Sequence, residues 1–162
     1  MALPNIYISA IGPKNSGLGG YDVDNPSRTA LKRLYESIID LYSLNYNVIG
    51  ISGLATGTEQ DFVAACIAKK IKYKLILPFK HQEKLWPQIP SCYEDYLSKA
   101  SSLEYVSKGQ YSPKKIIDKQ VIIVDQSDVI IYIQNKLKHR CDLLNYIIHN
   151  NKKFFITTCP YV

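Results

Sequence analysis

Apolar residues along this chain gather into short unbroken runs, and between the runs they recur every three or four positions. The runs are Asn5–Ile11, Asn47–Ile51, Lys74–Pro78, Asp128–Ile133 and Lys153–Thr157, with a minor one at Leu103–Val106. Having no alternating polar face, they read as strands covered on both sides. The intervening pattern is helical. Asn25-Pro26 offers an N-cap and a proline at the first helical position, and Leu31, Leu34, Tyr35, Ile38 and Tyr42 carry a helix to about Leu44. Thr58 is expected to cap a second helix, with Glu59 and Asp61 in its first turn and Phe62, Val63, Cys66 and Ile67 as its apolar stripe. Ser91–Ala100 gives a third helix after an irregular segment, Phe79–Pro90. Ser112-Pro113 opens a fourth whose inner stripe is Ile116, Ile117, Gln120, Val121 and Val124, and Asp142–Asn150 forms a fifth.

Strands alternating with helices predict a parallel sheet with helices on each side. Ligands of such folds bind at the carboxyl ends of the strands, near the switch in strand order. Loops Gly12–Asn25, Gly53–Thr58, Phe79–Pro90 and Gln134–Arg140 all follow strands and should share that edge. No repeat or linker divides residues 1–162, which read as one domain.

Composition narrows the class only slightly. A chain with 46% hydrophobic and 21% charged residues is globular material. The first apolar stretch, Ile6–Ile11, is cut short by Pro13 and Lys14, unlike a signal peptide. No run approaches the roughly 18 apolar residues of a membrane span. A cytoplasmic protein with no membrane partner is expected. The four cysteines show no metal-ligand spacing, so reduced thiols without a metal are expected. A net charge of +6, with its lysines dispersed, favours an anionic partner without pointing to nucleic acid.

The chemistry concentrates in Gly50-Ile51-Ser52-Gly53-Leu54-Ala55-Thr56-Gly57-Thr58-Glu59, a strand, a turn of small residues and a helix start. Bare amides at the positive end of a helix dipole suit a phosphate. The spacing matches neither GxGxxG nor GxxxxGK[ST], which excludes both usual nucleotide fingerprints. A glycine turn can also be purely structural. Glu59 fits either of two roles: accepting ribose hydroxyls, or offsetting the helix dipole by roughly 0.3–1 kcal/mol. Trp86, in the irregular segment, is a candidate for base stacking, which is worth about 1–3 kcal/mol. Tyr21 and Phe79 are weaker candidates. His81 lacks an evident nucleophile partner in sequence, and Arg28 reads as an exposed surface residue, with a phosphate at the N-terminus of its helix as the alternative.

Ser52-Gly53-Leu54-Ala55-Thr56-Gly57-Thr58-Glu59 followed by Ala64-Ala65 resembles the signature of the SLOG superfamily, which includes DNA-processing protein A, the lonely-guy phosphoribohydrolases and the YpsA-type proteins. Leu18 to Tyr21, Asn25-Pro26, and Pro78, Phe79, Gln82, Trp86 and Pro87 resemble the YpsA-type branch in order. This resemblance implies a Rossmann-like three-layer α/β/α sandwich with a mostly parallel sheet, whose glycine turn holds a nucleotide phosphate. It implies ligand contacts from Gly12 and Lys14, from Gly20 and Tyr21, and from Ser52, Gly53, Leu54, Ala55, Thr56, Gly57, Thr58 and Glu59. Phe79, Gln82 and Trp86 complete the set, with His139 and Arg140 standing where the family shows Gly-Gly-Thr. Ile11-Gly12-Pro13-Lys14 departs from the branch's Gly-His-Arg-Pro, and Asp61 or Gln60 replaces the phosphoribohydrolase glutamate.

These features together predict a protein that binds a phosphorylated nucleotide or nucleotide-derived signal, NAD-derived or cyclic, without turnover and without a cofactor. A sensor is one form; a phage-type sponge that sequesters a defence signal is another, by analogy. The alternatives are a nucleotide N-glycosidic hydrolase using Glu59 or Asp61, and a single-stranded DNA-binding module. A homo-oligomer, dimer or higher, is expected through the helices Arg28–Leu44 and Asp142–Asn150.

Overall fold

The computed structural model describes residues 1–135 and 142–161. Six strands form one parallel sheet: β1 (Asn5–Ile11), β2 (Asn47–Ser52), β3 (Lys72–Leu77), β4 (Ser102–Tyr105), β5 (Val129–Gln134) and β6 (Lys153–Thr158). Their order across the sheet is β4-β3-β2-β1-β5-β6. The chain thus steps outward from β1 to β4, then returns to lay β5 on the other side of β1. That reversal places the topological switch between β1 and β5, with Ile8 opposite Val129 and Ile11 opposite Tyr132.

Five helices cover the sheet: α1 (Pro26–Ser43), α2 (Thr58–Ala68), α3 (Tyr93–Lys99), α4 (Pro113–Gln126) and α5 (Asp142–His149). Strand side chains alternate between two cores. Ile6, Ile8, Val129 and Ile131 meet Leu31, Tyr35 and Ile39 of α1, Phe62 and Val63 of α2, and Tyr93 of α3. Ile11, Ile51, Ile130 and Tyr132 meet Ile123 and Val124 of α4 and Leu143 and Ile147 of α5. The expected three-layer α/β/α sandwich is present, and its sheet is wholly parallel. Helices α1 and α5 pack on opposite faces of the sheet.

Local signals in the sequence act as anticipated at two helix starts. The Asn25 side chain accepts from the Arg28 amide, and the Ser112 hydroxyl from the Lys115 amide. At α2 the expectation fails. Gly57 is the cap residue, and Thr58 is already helical, donating its hydroxyl to the Pro13 carbonyl 2.9 Å away. Thr58 was free for that role because the extended chain after β1 passes directly over the helix start.

Candidate functional site

The loop after β1 and the turn before α2 are packed against each other. Gly57 has φ +88°, and a Cβ there would meet the Lys14 carbonyl carbon and the Pro13 oxygen at 2.7 Å each. Only glycine allows both the backbone angle and the approach. At Gly12 a Cβ would meet Ile133 Cβ at 2.6 Å and Thr58 Oγ1 at 2.8 Å, so β1, β5 and α2 converge there.

The turn is less bare than its sequence implies. The Leu54 amide donates to Ser52 Oγ (3.0 Å), the Ala55 amide to Glu59 Oε2 (3.2 Å) and the Thr58 amide to the Pro13 carbonyl (3.1 Å). The reason is burial: Leu54 and Thr58 are covered, and covered N–H groups need partners. Among the described residues, the amides of Thr56, Gly57 and Glu59 have no protein acceptor. The turn opens to solvent chiefly at half-buried Ala55.

Glu59 faces a partner invisible in the sequence. Lys119 Nζ lies 3.1 Å from Glu59 Oε1 and 3.0 Å from Oε2, with both side chains buried. The carboxylate therefore joins a lysine of α4 to the amide of Ala55 across the sheet edge, and its hydrogen-bonding capacity is largely used. Gly53 makes room for this pair: a Cβ there would lie 2.5 Å from Lys119 Nζ.

A second buried pair lies behind the turn. Arg28, expected on the surface, is only 2% exposed. Its Nε donates to Asp61 Oδ2 (2.8 Å) and Nη2 to Asp61 Oδ1 (2.7 Å). Its Nη1 reaches Asn15 Oδ1 at 2.9 Å and the Gly20 carbonyl at 3.2 Å. One guanidinium thus fixes the loop after β1 to α1 and α2. Burial raises the Asp61 carboxyl above the ordinary aspartate range, against the opposing pull of Arg28.

Two cavities open along the carboxyl edge. One, of about 510 Å³, is lined by Lys14, Ala55, Gln82, Trp86, Tyr111, Ile116, Ile117 and Lys119, among others. The other, of about 880 Å³, lies at the β1/β5 switch between the Gly12–Gly17 loop, Tyr132 and Ile133 of β5, Gln120 and Val121 of α4, and α5. The α4 stripe expected to be core therefore splits: Val124 is buried, whereas Ile116, Ile117, Gln120 and Val121 wall these cavities.

Of the residues singled out from sequence, Lys14, Ala55, Gln82 and Trp86 meet in the smaller cavity, and Gly12 and Lys14 line the larger. Gln82 is held by the Gly53 carbonyl at 2.9 Å, and Trp86 packs edge-on against Tyr93 with ring centres 5.2 Å apart. Phe79 is buried, its ring edge-on to Tyr111, and lines neither cavity. Tyr21 borders a separate cavity of about 310 Å³ beside Arg28 and Asp61, and the Gly20 carbonyl is taken by Arg28. His81 Nδ1 lies 3.2 Å from Glu83 Oε1, and His81 lines neither cavity. His139 and Arg140 lie outside the described residues. Lys119 and Tyr111 line the same cavity as Trp86, and the sequence does not single them out.

No family model matches the sequence, and no curated protein matches it either. Solved structures do. The chain superimposes on DNA processing protein A from Streptococcus pneumoniae with a TM-score of 0.65 at 13% identity, covering 93% of this chain and 50% of that one. At this identity the likeness shows a shared fold. DNA processing protein A from Helicobacter pylori, described for its single-stranded DNA binding mode, matches with a TM-score of 0.60 at 15% identity over 95% of this chain and 65% of that one. The molybdenum cofactor carrier protein from Chlamydomonas reinhardtii matches with a TM-score of 0.58 at 11% identity over 96% of this chain and 79% of that one. The chain therefore spans half of the first neighbour's length and 65% of the second's. No described helix is long and apolar enough to cross a membrane.

Proposed function

We propose that this chain binds a phosphorylated nucleotide, or a ligand derived from one, in the crevice above β1, β2 and β3. The observation that carries this reading is the convergence of Lys14, Ala55 and Trp86 on one cavity of about 510 Å³ at the carboxyl edge of a parallel sheet. Lys14 is exposed and has no ion-pair partner among the described residues, so its charge is available to a phosphate. The uncommitted amides of Thr56, Gly57 and Glu59 at the α2 terminus reinforce the same polarity. Trp86, Tyr111 and Ile116 give the apolar surface a base needs. The fold neighbours support the ligand class, since one concerns single-stranded DNA and another a carried cofactor.

Binding without turnover is favoured over glycosidic hydrolysis. The two carboxylates nearest the turn, Glu59 and Asp61, are each held in a buried ion pair, so neither stands free as a base or a charge stabiliser. Such a protein serves as a sensor or as a sequestering agent for a nucleotide signal. Titration calorimetry with a panel of nucleoside 5′-monophosphates tests the reading. Trp86→Ala is expected to weaken binding by about 1–3 kcal/mol, the range for one stacked base. Lys14→Ala should weaken it too, with a smaller dependence on salt remaining. Affinity unchanged in both variants would overturn the assignment. Free base among the products would replace binding by hydrolysis.

A further inference from the structure

The two cavities at the carboxyl edge are neighbours that share part of their lining. Lys14 and Ile117 line both, standing as a ridge between the smaller space beside Trp86 and the larger one at the β1/β5 switch. Sites for a single small molecule run to about 300–1,000 Å³, so each space alone has room for a ring-bearing unit. Ile117 is 60% exposed on that ridge, an apolar side chain left outside both cores. Lys14, beside it, is a cation whose reach extends to either space. The floor of the larger space differs from that of the smaller: Gln120, Val121 and Tyr132 replace Trp86 and Tyr111.

We infer that the ligand has two nucleoside-sized units joined through phosphate, one in each space, with the linking phosphate at Lys14 and the connecting sugar over Ile117. This inference rests on the nucleotide reading above and specifies the size class of its ligand. A mononucleotide would leave Ile117 and the larger space in water. A two-unit ligand covers both and gains the second unit's contacts without a second loss of translational freedom. The dissimilar floors imply that the two ends are read differently, with stacking dominant beside Trp86 and polar contact from Gln120 available at the switch.

The test is a calorimetric comparison of the four nucleoside 5′-monophosphates with linear dinucleotides built from them, joined by phosphodiester or pyrophosphate. A dinucleotide should bind about tenfold or more tighter than its better half. Val121→Trp, which fills the larger space from its wall, should collapse that ratio toward one. Gln120→Trp provides the same obstruction from a half-exposed position, should the first variant fold poorly. Equal affinities for mono- and dinucleotides in the wild type would overturn the two-unit inference and leave the nucleotide reading standing. Steady tightening through tri- and longer oligonucleotides would overturn it in favour of a strand-binding groove. Absence of binding by every probe would overturn the nucleotide reading itself, and this inference with it.

Discussion

Lys119→Ala is expected to destabilise the fold by about 3–5 kcal/mol, read from the urea midpoint at constant slope. The size follows from burial. Lys119 and Glu59 are 2% and 8% exposed at their side chains, so removing the ammonium leaves a carboxylate out of water with only the Ala55 amide beside it. The pair is not irreplaceable, because its attraction is set against the desolvation of two charges. Glu59→Gln combined with Lys119→Met should therefore recover most of the loss, keeping volume while removing both charges. A single variant within about 1 kcal/mol of wild type would show that the pair behaves like a surface salt bridge, contrary to its burial. The consequence for function is direct. Glu59 is the clasp between α4 and the turn, so its loss loosens the wall carrying Ile116 and Ile117.

Arg28→Ala should cost a similar amount, about 3–5 kcal/mol, with a different signature. Arg28 binds Asp61 through two nitrogens and holds Asn15 and the Gly20 carbonyl with a third. Its removal frees the loop after β1, and limited proteolysis should cut between residues 15 and 21 in the variant alone. Arg28→Lys will not rescue it, since an ammonium cannot span both carboxylate oxygens and the loop acceptors together. The loss should depend on pH in a fixed direction. Burial already raises Asp61, and without the guanidinium nothing opposes that effect. The folded-state pKa then lies above the unfolded value. Stability from this group is fully present below the unfolded pKa and is lost as pH rises through the folded one. The variant should thus look least damaged in acid.

The sequence carried the layers and most element ends because those depend on neighbours a few residues apart. Asn25-Pro26 and Ser112-Pro113 place α1 and α4 through bonds that close within three residues. Unbroken apolar runs such as Val129–Gln134 place strands buried on both faces. The candidate site was legible where singled-out residues fall in the loops after strands, as with Lys14, Ala55, Gln82 and Trp86. The rest depended on distant partners. Lys119 sits among Asp118 and Gln120 and looks solvated until Glu59, sixty positions away, is brought to it. Arg28 is disguised in the same way by its distance from Asp61. Ile116 and Ile117 show the opposite limit: periodicity reveals that a helix face is apolar, but not whether protein covers it. The turn's amides look barer in sequence than they are for a related reason. A sequence displays small residues, not the strand loop that packs over them and takes the Thr58 amide.

The central claim is that the crevice beside Lys14, Ala55 and Trp86 holds a phosphorylated nucleotide. An amide chemical-shift titration of the labelled wild-type chain with nucleoside 5′-monophosphates tests it most directly. The account predicts saturable shifts at Lys14, at Ala55 through Thr58, and at the Trp86 indole N–H. Flat spectra, or shifts confined to the separate cavity around Tyr21 and Cys92, would contradict it.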